Sequence, residues 1–469
     1  MQQLRNILVM KFGGTSVGSP AAMKKVLEIA HSTRQDWQQL VIVTSALSGV
    51  TDLLLKSARQ AAGKDLRPAE EAASEIIQRH EVLINHLIPD TRQRRGVERE
   101  VCRLVDEFLN LCQRVCDQGD ASPRALDAIA GLGERFAIQV LAGVLNAAGV
   151  SAVGIEATHL IVTDESFSNA EPDLKATTLQ TRRTLDPLLA RGVIPVVTGF
   201  IAATPDHVPT TLGRGGSDYS AAILSAALNA RETWIWTDVD GVMTADPRLI
   251  PEARTIPQLS YTEVSEMARL GAKVLHPKTI EPIIKSGGAL RVRNTFNPTH
   301  PGTLLVRSSN SLKNKQSGVK AVTVIRGLKW VKLEGKREQD LVIYQRLLNA
   351  AATGIRSPLI LGSPYEAAFC FAVPNEGFSP IFGTLPRRRE DNHIDRKKNI
   401  SSEDADMVTV ICPGLRSSPG VAGQVFSALE QGRIKVLASS YGTSDISMNL
   451  FVGSADTQNA MRILHGLIH

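Results

Sequence analysis

Thr211-Leu212-Gly213-Arg214-Gly215-Gly216-Ser217-Asp218-Tyr219-Ser220 is the stretch around which the rest of the chain is organised. The apolar run Val193-Ile194-Pro195-Val196-Val197 before it reads as a buried strand, and Tyr219, Ala222, Ile223, Ala226 and Ala227 recur at helical spacing. A glycine-rich loop entering a helix turns free backbone N–H groups and the positive dipole end toward one point. Arg214 adds a forked cation and Asp218 a carboxylate at the same place. Such a loop suits phosphoryl transfer or recognition of a carboxylate, although the same glycines also make ordinary tight turns.

Working outward, 469 residues exceed a single core and predict two or three domains. A hydrophobic share of 43% and a charged share of 21% are ordinary for a globular chain, while 4% aromatics disfavours a nucleic-acid binder built on stacked rings. The charge of +6 and pI near 9.1 suit an anionic substrate such as a nucleotide, and equally suit plain solubility. Cys112 and Cys116 share a helical face with Val101, Leu104, Val105, Phe108 and Val115, so they read as small buried hydrophobes rather than ligands or a disulfide. The cysteine count is odd (Cys102, Cys370 and Cys412 are the others), and the apolar runs look too short to cross a bilayer. With no signal-peptide pattern, the expectation is a cytoplasmic chain with no membrane and no nucleic-acid partner.

Ile7-Leu8-Val9-Met10-Lys11-Phe12 is a short strand followed by Gly13-Gly14-Thr15-Ser16-Val17-Gly18, with Ser19-Pro20 as cap and first residue of a helix. This nearly matches a P-loop but has Ser19 where the essential lysine stands; the available lysine, Lys11, precedes the glycines. A second strand, Leu40-Val41-Ile42-Val43, runs into a hydroxyl-rich turn with Ser45 and Thr51. Residues 66–118 read as helical and charged. Gly133-Glu134-Arg135 opens another helix, where a first-turn glutamate either complements the dipole or points into a cleft. A strand at 233–236 then feeds Thr237-Asp238-Val239-Asp240-Gly241-Val242-Met243-Thr244-Ala245-Asp246-Pro247-Arg248, and Gly271-Ala272-Lys273-Val274-Leu275-His276-Pro277 follows. Alternating strands and helices to residue 307 predict a layered, mostly parallel α/β domain with polar clusters after the strands, where such sheets bind ligands.

Beyond residue 307 a polar join spans 308–316. A strand at 331–333, a helix at 341–352, strands near 359 and at 367–373, and a charged excursion at 386–404 follow. From 407 a second βαββ pattern runs through strands at 408–412, 434–438 and 446–452 and a helix at 456–467. These read as small α+β modules for binding or assembly, since no catalytic constellation appears in them.

Lys11-Phe12-Gly13-Gly14-Thr15-Ser16-Val17 resembles the opening motif of the aspartate kinases, within the amino-acid kinase superfamily. Gly133-Glu134, the 213–219 loop, the 237–248 segment and 271–277 follow in that family's order. The tail resembles paired ACT regulatory modules. The resemblance implies a three-layer α/β/α catalytic domain over 1–307 and a regulatory region over 308–469, with ferredoxin-like ACT modules at about 317–385 and 405–469. It implies ATP-dependent phosphorylation of the β-carboxylate of L-aspartate to 4-phospho-L-aspartate, the entry to lysine, threonine, methionine and isoleucine synthesis. Lys11 and Asp218 are then catalytic; Ser45, Thr51, Glu134, Arg214 and Ser217 bind aspartate; Lys11, Phe12, Gly13, Gly14, Thr237, Asp238, Met243, Arg248 and Lys273 bind ATP. Mg²⁺ bridges phosphate oxygens, with no residue assigned as its ligand. Further expectations are a lysine or threonine effector at the ACT-like region, a homodimer or larger homo-oligomer, and no dinucleotide-binding domain of the kind fused to some relatives.

The chain departs from the family at Met243, where a tyrosine is usual near the nucleotide, which predicts altered nucleotide binding. It also departs at Gly335-Lys336-Arg337-Glu338-Gln339-Asp340, more charged than the usual effector loop, whereas Ser418-Pro419-Gly420-Val421-Ala422-Gly423 is kept. Two other functions remain open on the residues alone: a kinase of another amino-acid carboxylate, such as glutamate, or a catalytically silent amino-acid sensor.

Overall fold

In β1 (Arg5–Phe12), Ile7, Leu8, Val9 and Met10 are all fully buried, as expected of a parallel strand covered on both faces. The computed structural model describes residues 4–272, 275, 277–307, 318–334, 359–363, 368–374, 400–415, 418, 420–441 and 445–468. They fall into two compact units: Met1–Val242 with Thr255–Ser265 and Val274–Ser309, and Met243–Arg254 with Glu266–Lys273 and Asn310–His469.

In the first unit the further strands are β2 (Gln39–Thr44), β3 (Ala152–Ile155), β4 (Ile194–Thr198), β5 (Ile201–Ala203), β6 (Pro209–Thr211), β7 (Ala230–Thr237), β8 (Gln258–Ser260), β9 (Ala289–Asn294) and β10 (Thr303–Val306). Eight of them form one sheet in the order β3-β4-β2-β1-β7-β9-β10-β8, parallel at every junction except β9–β10. β5 and β6 make a separate antiparallel pair. The helices are α1 (Gly14–Val17), α2 (Pro20–Asp36), α3 (Val50–Ala62), α4 (Arg67–Leu87), α5 (Thr91–Gln118), α6 (Pro123–Ala130), α7 (Leu132–Ala147), α8 (Leu174–Ala190), α9 (Gly216–Leu228), α10 (Tyr261–Arg269) and α11 (Pro277–Ser286). Several begin where the sequence supplies a cap: Ser19 accepts from Ala22 N (3.2 Å), Asp90 from Gln93 N (2.7 Å), and Asp173 from Lys175 N (2.8 Å).

The layering follows from strand alternation. Leu8, Met10 and Phe12 share one cluster with Leu40, Ile42, Val196 and the α7 residues Phe136, Ile138 and Leu141. The intervening Ile7 and Val9 point the other way, where α9 packs on β1, β2 and β7 and is flanked by α8 and α11. The result is three layers. One expectation is corrected here. The stretch Pro123–Ala147 does have the length and apolarity of a membrane span, but it breaks at Gly131 between α6 and α7, and 78% of its most apolar window is buried inside the fold. It is a buried core helix kinked at Gly131, which itself keeps helical dihedrals (φ −63°, ψ −16°). None of the five cysteines is in a disulfide; Cys112 is buried, and burial pushes its thiol up to about 12.

In the second unit β11 (Ala321–Glu334), β12 (Leu359–Ser363), β13 (Ala368–Pro374), β14 (Ile400–Ile411), β15 (Val436–Tyr441) and β16 (Ser447–Gly453) form a six-stranded sheet in the order β12-β13-β11-β14-β16-β15, antiparallel throughout. α12 (Val421–Gln431) and α13 (Thr457–His465) pack with it around Val408, Val410, Val425, Leu450 and Met461. Two readings need correction. The strand expected at 331–333 has 14 residues; a register shift between Ile325 and Leu328, with Gly327 at φ 76° donating to Asp406 (3.0 Å), interrupts its alternation. The charged excursion expected through residue 404 ends earlier, because 400–404 belong to β14 and pair with β11, Asp404 meeting Lys329 at 2.7 Å. The join at 308–316, the loop at 335–340, the helix at 341–352 and residues 386–399 lie outside the described residues.

Segments from earlier in the chain are built into this second unit. Val322 N donates to Thr244 O (2.8 Å), the Thr244 hydroxyl meets His465 Nε2 (2.9 Å), Ser447 donates to Glu266 (2.7 Å), and Thr323 donates to Leu270 O (2.7 Å).

Candidate active site

Strand register places the chemistry. Phe12 lies opposite Thr44 and Trp236, Thr44 opposite Thr198, and Thr237 opposite Asn294, so the carboxyl ends of β4, β2, β1, β7 and β9 share one edge. Loops leaving that edge form the crevice where open α/β sheets bind ligands.

After β1, Gly13 caps α1 in an extended conformation. A Cβ on Gly14 would come within 2.7 Å of Ala46 O, so only glycine lets this turn touch the loop after β2. Ser45 N donates to Phe12 O (3.1 Å), drawing the same two loops together. Ala46 N donates in turn to Glu134 Oε1 (3.1 Å) in the first turn of α7. Glu134 is 3% exposed and its Oε2 has no hydrogen-bond partner among the described residues. Burial raises its carboxyl to about 8, against the opposing pull of the Ala46 N–H, its own N–H and the Lys11 charge. That spare oxygen is left unpaired by the described residues.

The loop before α9 is shaped by its glycines. Gly213 and Gly215 have φ of 76° and 75°, and a Cβ on Gly216 would sit 2.7 Å from the Phe200 ring. Arg214 is exposed and makes no ion pair or hydrogen bond with any described residue. Asp218, in the first turn of α9, lies 2.6 Å from Lys11 Nζ, with side chains only 20% and 12% exposed. The contact is off the hydrogen-bond direction and is held by charge.

These groups line one cleft of about 580 Å³, bounded by Lys11, Ser45, Thr51, Glu134, Arg214, Ser217 and Asp218. Every residue expected to bind aspartate or to act on phosphate in catalysis is thus brought together. The expected nucleotide residues are more dispersed. Phe12 has a fully buried ring stacked on Trp236 (5.8 Å), so only its backbone reaches the edge. Thr237 closes a turn on Val239 (3.2 Å), and Asp238 is exposed after β7; neither lines the cleft. Met243 and Arg248 belong to the second unit, where the Arg248 guanidinium closes onto Asp246 (2.9 and 2.5 Å). Lys273 lies outside the described residues.

Two aspartates have no role of their own in the sequence reading: Asp127 is not singled out, and Asp240 is read only as part of the 237–248 segment. Asp127, 3% exposed in α6, accepts from Ser168 N (2.8 Å) and Thr211 N (2.9 Å) on Oδ2, and from Ser168 Oγ (3.2 Å) and Thr211 Oγ1 (2.9 Å) on Oδ1. Its signal was a lone carboxylate in the apolar run Leu126–Ala130 of a capped helix. Asp240 accepts from Asn294 (2.8 Å) and Asn297 (3.1 Å), tying the loop after β7 to the one after β9; nothing in its spacing announces that.

The amino acid kinase family model matches residues 6–294, and an ACT domain model matches 408–467. The lysine-sensitive aspartokinase 3 of Escherichia coli is 29% identical over 469 residues, 98% of this chain and 99% of that protein. The chloroplastic bifunctional aspartokinase/homoserine dehydrogenase of Daucus carota is 30% identical over 97% of this chain; the chain spans about half the length of that relative and its plant counterparts, 50% in each case. The crystal structure of E. coli aspartokinase III in complex with aspartate and ADP is 26% identical with a TM-score of 0.77, covering 98% of this chain and 99% of that one. The same enzyme in complex with lysine and aspartate gives a TM-score of 0.78 at 26% identity, covering 99% and 100%.

Proposed function

We infer that this chain, which belongs to the amino acid kinase family, transfers the γ-phosphoryl group of ATP to the β-carboxylate of L-aspartate, giving 4-phospho-L-aspartate. The observation that carries this is the pairing, in one cleft, of a buried carboxylate with a spare oxygen (Glu134) and a guanidinium (Arg214) that has no partner among the described residues. Together they complement the ammonium and carboxylate of an amino acid. The relative crystallised with aspartate and ADP supports the choice of substrate and nucleotide.

The chemistry asks little of side chains as bases, because a carboxylate is already a nucleophile. What is needed is in-line positioning and cancellation of charge on the migrating group. Glu134 holds the α-ammonium and Arg214 the α-carboxylate, with Ser45, Thr51 and Ser217 completing the pocket. The β-carboxylate would then be turned toward Lys11, which lines the same cleft. Lys11, oriented by Asp218 at 2.6 Å, and the Gly13 and Gly14 amides neutralise the phosphates. Thr237 and Asp238, at the end of β7 in the first unit, serve the nucleotide. Among the described residues no cluster of three or more His, Cys, Asp or Glu side chains is spaced to hold a metal. Asp218 would stand beside a nucleotide-borne Mg²⁺, which would supply further charge cancellation.

We place feedback control by lysine or threonine in the ACT region, supported by the relative crystallised with lysine, and read the assembly as a homodimer or larger. The activity serves lysine, threonine, methionine and isoleucine synthesis. The deciding experiment is a hydroxylamine-trapped acyl-phosphate assay with ATP and either aspartate or glutamate, with and without lysine or threonine. Hydroxamate with aspartate is expected. Turnover of glutamate alone makes this a kinase of another amino acid, and none with either leaves a silent sensor.

A further inference from the structure

Asp127 is a buried carboxylate that the phosphoryl-transfer chemistry does not use. Each of its two oxygens takes one hydrogen bond from Ser168 and one from Thr211, at 2.8 to 3.2 Å. It therefore clamps two chain segments to one another, and both lead to the same guanidinium. Thr211 ends β6 and lies three residues before Arg214. Ser168 is a non-glycine residue at φ 69°, a left-handed conformation that it holds against steric cost. Its neighbour Asn169 packs so tightly on Gly213 that a Cβ there would meet Asn169 Oδ1 at 2.8 Å. Ala170 N then donates to Thr211 O at 2.9 Å, closing the ring of contacts.

We propose that Asp127 is a positioning residue for the aspartate end of the cleft, fixing Arg214 through Thr211 along the strand and through Ser168 and Asn169 from the side. This rests on the assignment of Arg214 to the substrate α-carboxylate. Arg214 has no partner of its own among the described residues, so its loop must be held from behind. Asp127 is the group that holds it. The carboxylate's four acceptor sites are all taken, so it has none left for substrate, and its effect reaches substrate through Arg214.

The test is steady-state kinetics of the full-length chain carrying Asp127→Asn, with Thr211→Val and the double variant as a cycle. An asparagine amide turns one acceptor into a donor and faces N–H with N–H. The expected result is a KM for aspartate raised about tenfold or more, while KM for ATP changes less than about twofold. Thr211→Val should raise KM for aspartate by less, and the double variant should resemble Asp127→Asn alone, because the two residues act as one unit. A generally structural role gives a different pattern, with lower active fraction and kcat and an unchanged KM for aspartate; that pattern overturns the proposal. Should Asp127→Asn fail to fold, Thr211→Val and Ser168→Ala each remove a single hydroxyl from the clamp, and an unchanged KM for aspartate in both overturns it equally. Inactivity of the unmodified chain toward aspartate removes instead the functional reading beneath it.

Discussion

Asp127 and Glu134 stand seven residues apart, on either side of the Gly131 kink between α6 and α7, are each 3% exposed, and both border the same cleft. Around Asp127 the protein supplies four hydrogen bonds from the 168 and 211 segments. Around Glu134 it supplies backbone N–H groups only, from Ala46 and from Glu134 itself, and among the described residues leaves Oε2 without a hydrogen bond. A buried carboxylate without partners is costly, and folded proteins seldom keep one for stability. The contrast separates a carboxylate that organises the fold from one that waits for a ligand.

The largest expected effect lies on the ligand side. On the proposed reading Arg214→Ala and Glu134→Gln each remove one charge assigned to substrate, so kcat/KM for aspartate should fall by roughly 30- to several-thousand-fold, corresponding to about 2–5 kcal/mol for a truncated charge contact buried by substrate. KM for ATP should barely move. Equal losses in both substrates would collapse the contrast, because they would mean that the cleft had lost its shape as a whole.

Next in size is a pH effect at Glu134. With Glu134 raised to about 8 in the empty cleft, it is largely protonated at neutral pH and cannot pair with an ammonium until it releases that proton. KM for aspartate should therefore fall as pH rises, by about tenfold or more between roughly pH 6.5 and 8.5, and level off above. Glu134→Gln should flatten this profile while Asp127→Asn keeps it. A wild-type KM independent of pH over that range removes Glu134 as the ammonium partner.

Much of this was legible in the chain. Alternation of strands with helices, glycines at strand ends, and a polar cluster after each strand predicted the layered sheet and the cleft, and Lys11, Glu134, Arg214 and Asp218 do meet there. Local chemistry was enough because each sits within a turn of a glycine that only close approach or positive φ requires, as at Gly14 and Gly213. What sequence could not supply was pairing across distance. Asp127 reaches Thr211, 84 positions on, and Asp240 reaches Asn294, 54 positions on. Neither spacing has a period. The same limit hid the length of β11, whose alternation is broken at Gly327 and whose partner strand begins in residues that read as a charged excursion. Met243 and Arg248 followed a strand of the first unit in sequence yet are incorporated into the second, through contacts such as Thr244 with His465.

The smallest effects expected are on stability, and they should differ in sign. Because the folded-state value of Glu134 lies above its ordinary 4.5, the folded chain keeps a proton that the unfolded chain loses between about pH 4.5 and 8. Stability of the unliganded protein therefore falls across that window, by at most about 1.4 kcal/mol per pH unit, and the fall ends near 8. Glu134→Gln lacks this titration, so its stability should match wild type near pH 5 and exceed it at pH 8.5, read from urea midpoints at both pH values. Asp127→Asn exchanges charge-assisted hydrogen bonds for an amide with a misplaced donor and should lose about 1.5–3 kcal/mol at either pH. If both substitutions lowered the midpoint equally at pH 8.5, Glu134 would be as structural as Asp127, and its bare oxygen would owe nothing to a ligand. A gain for Glu134→Gln alongside a loss for Asp127→Asn instead locates the strain of the empty cleft at the residue that substrate relieves.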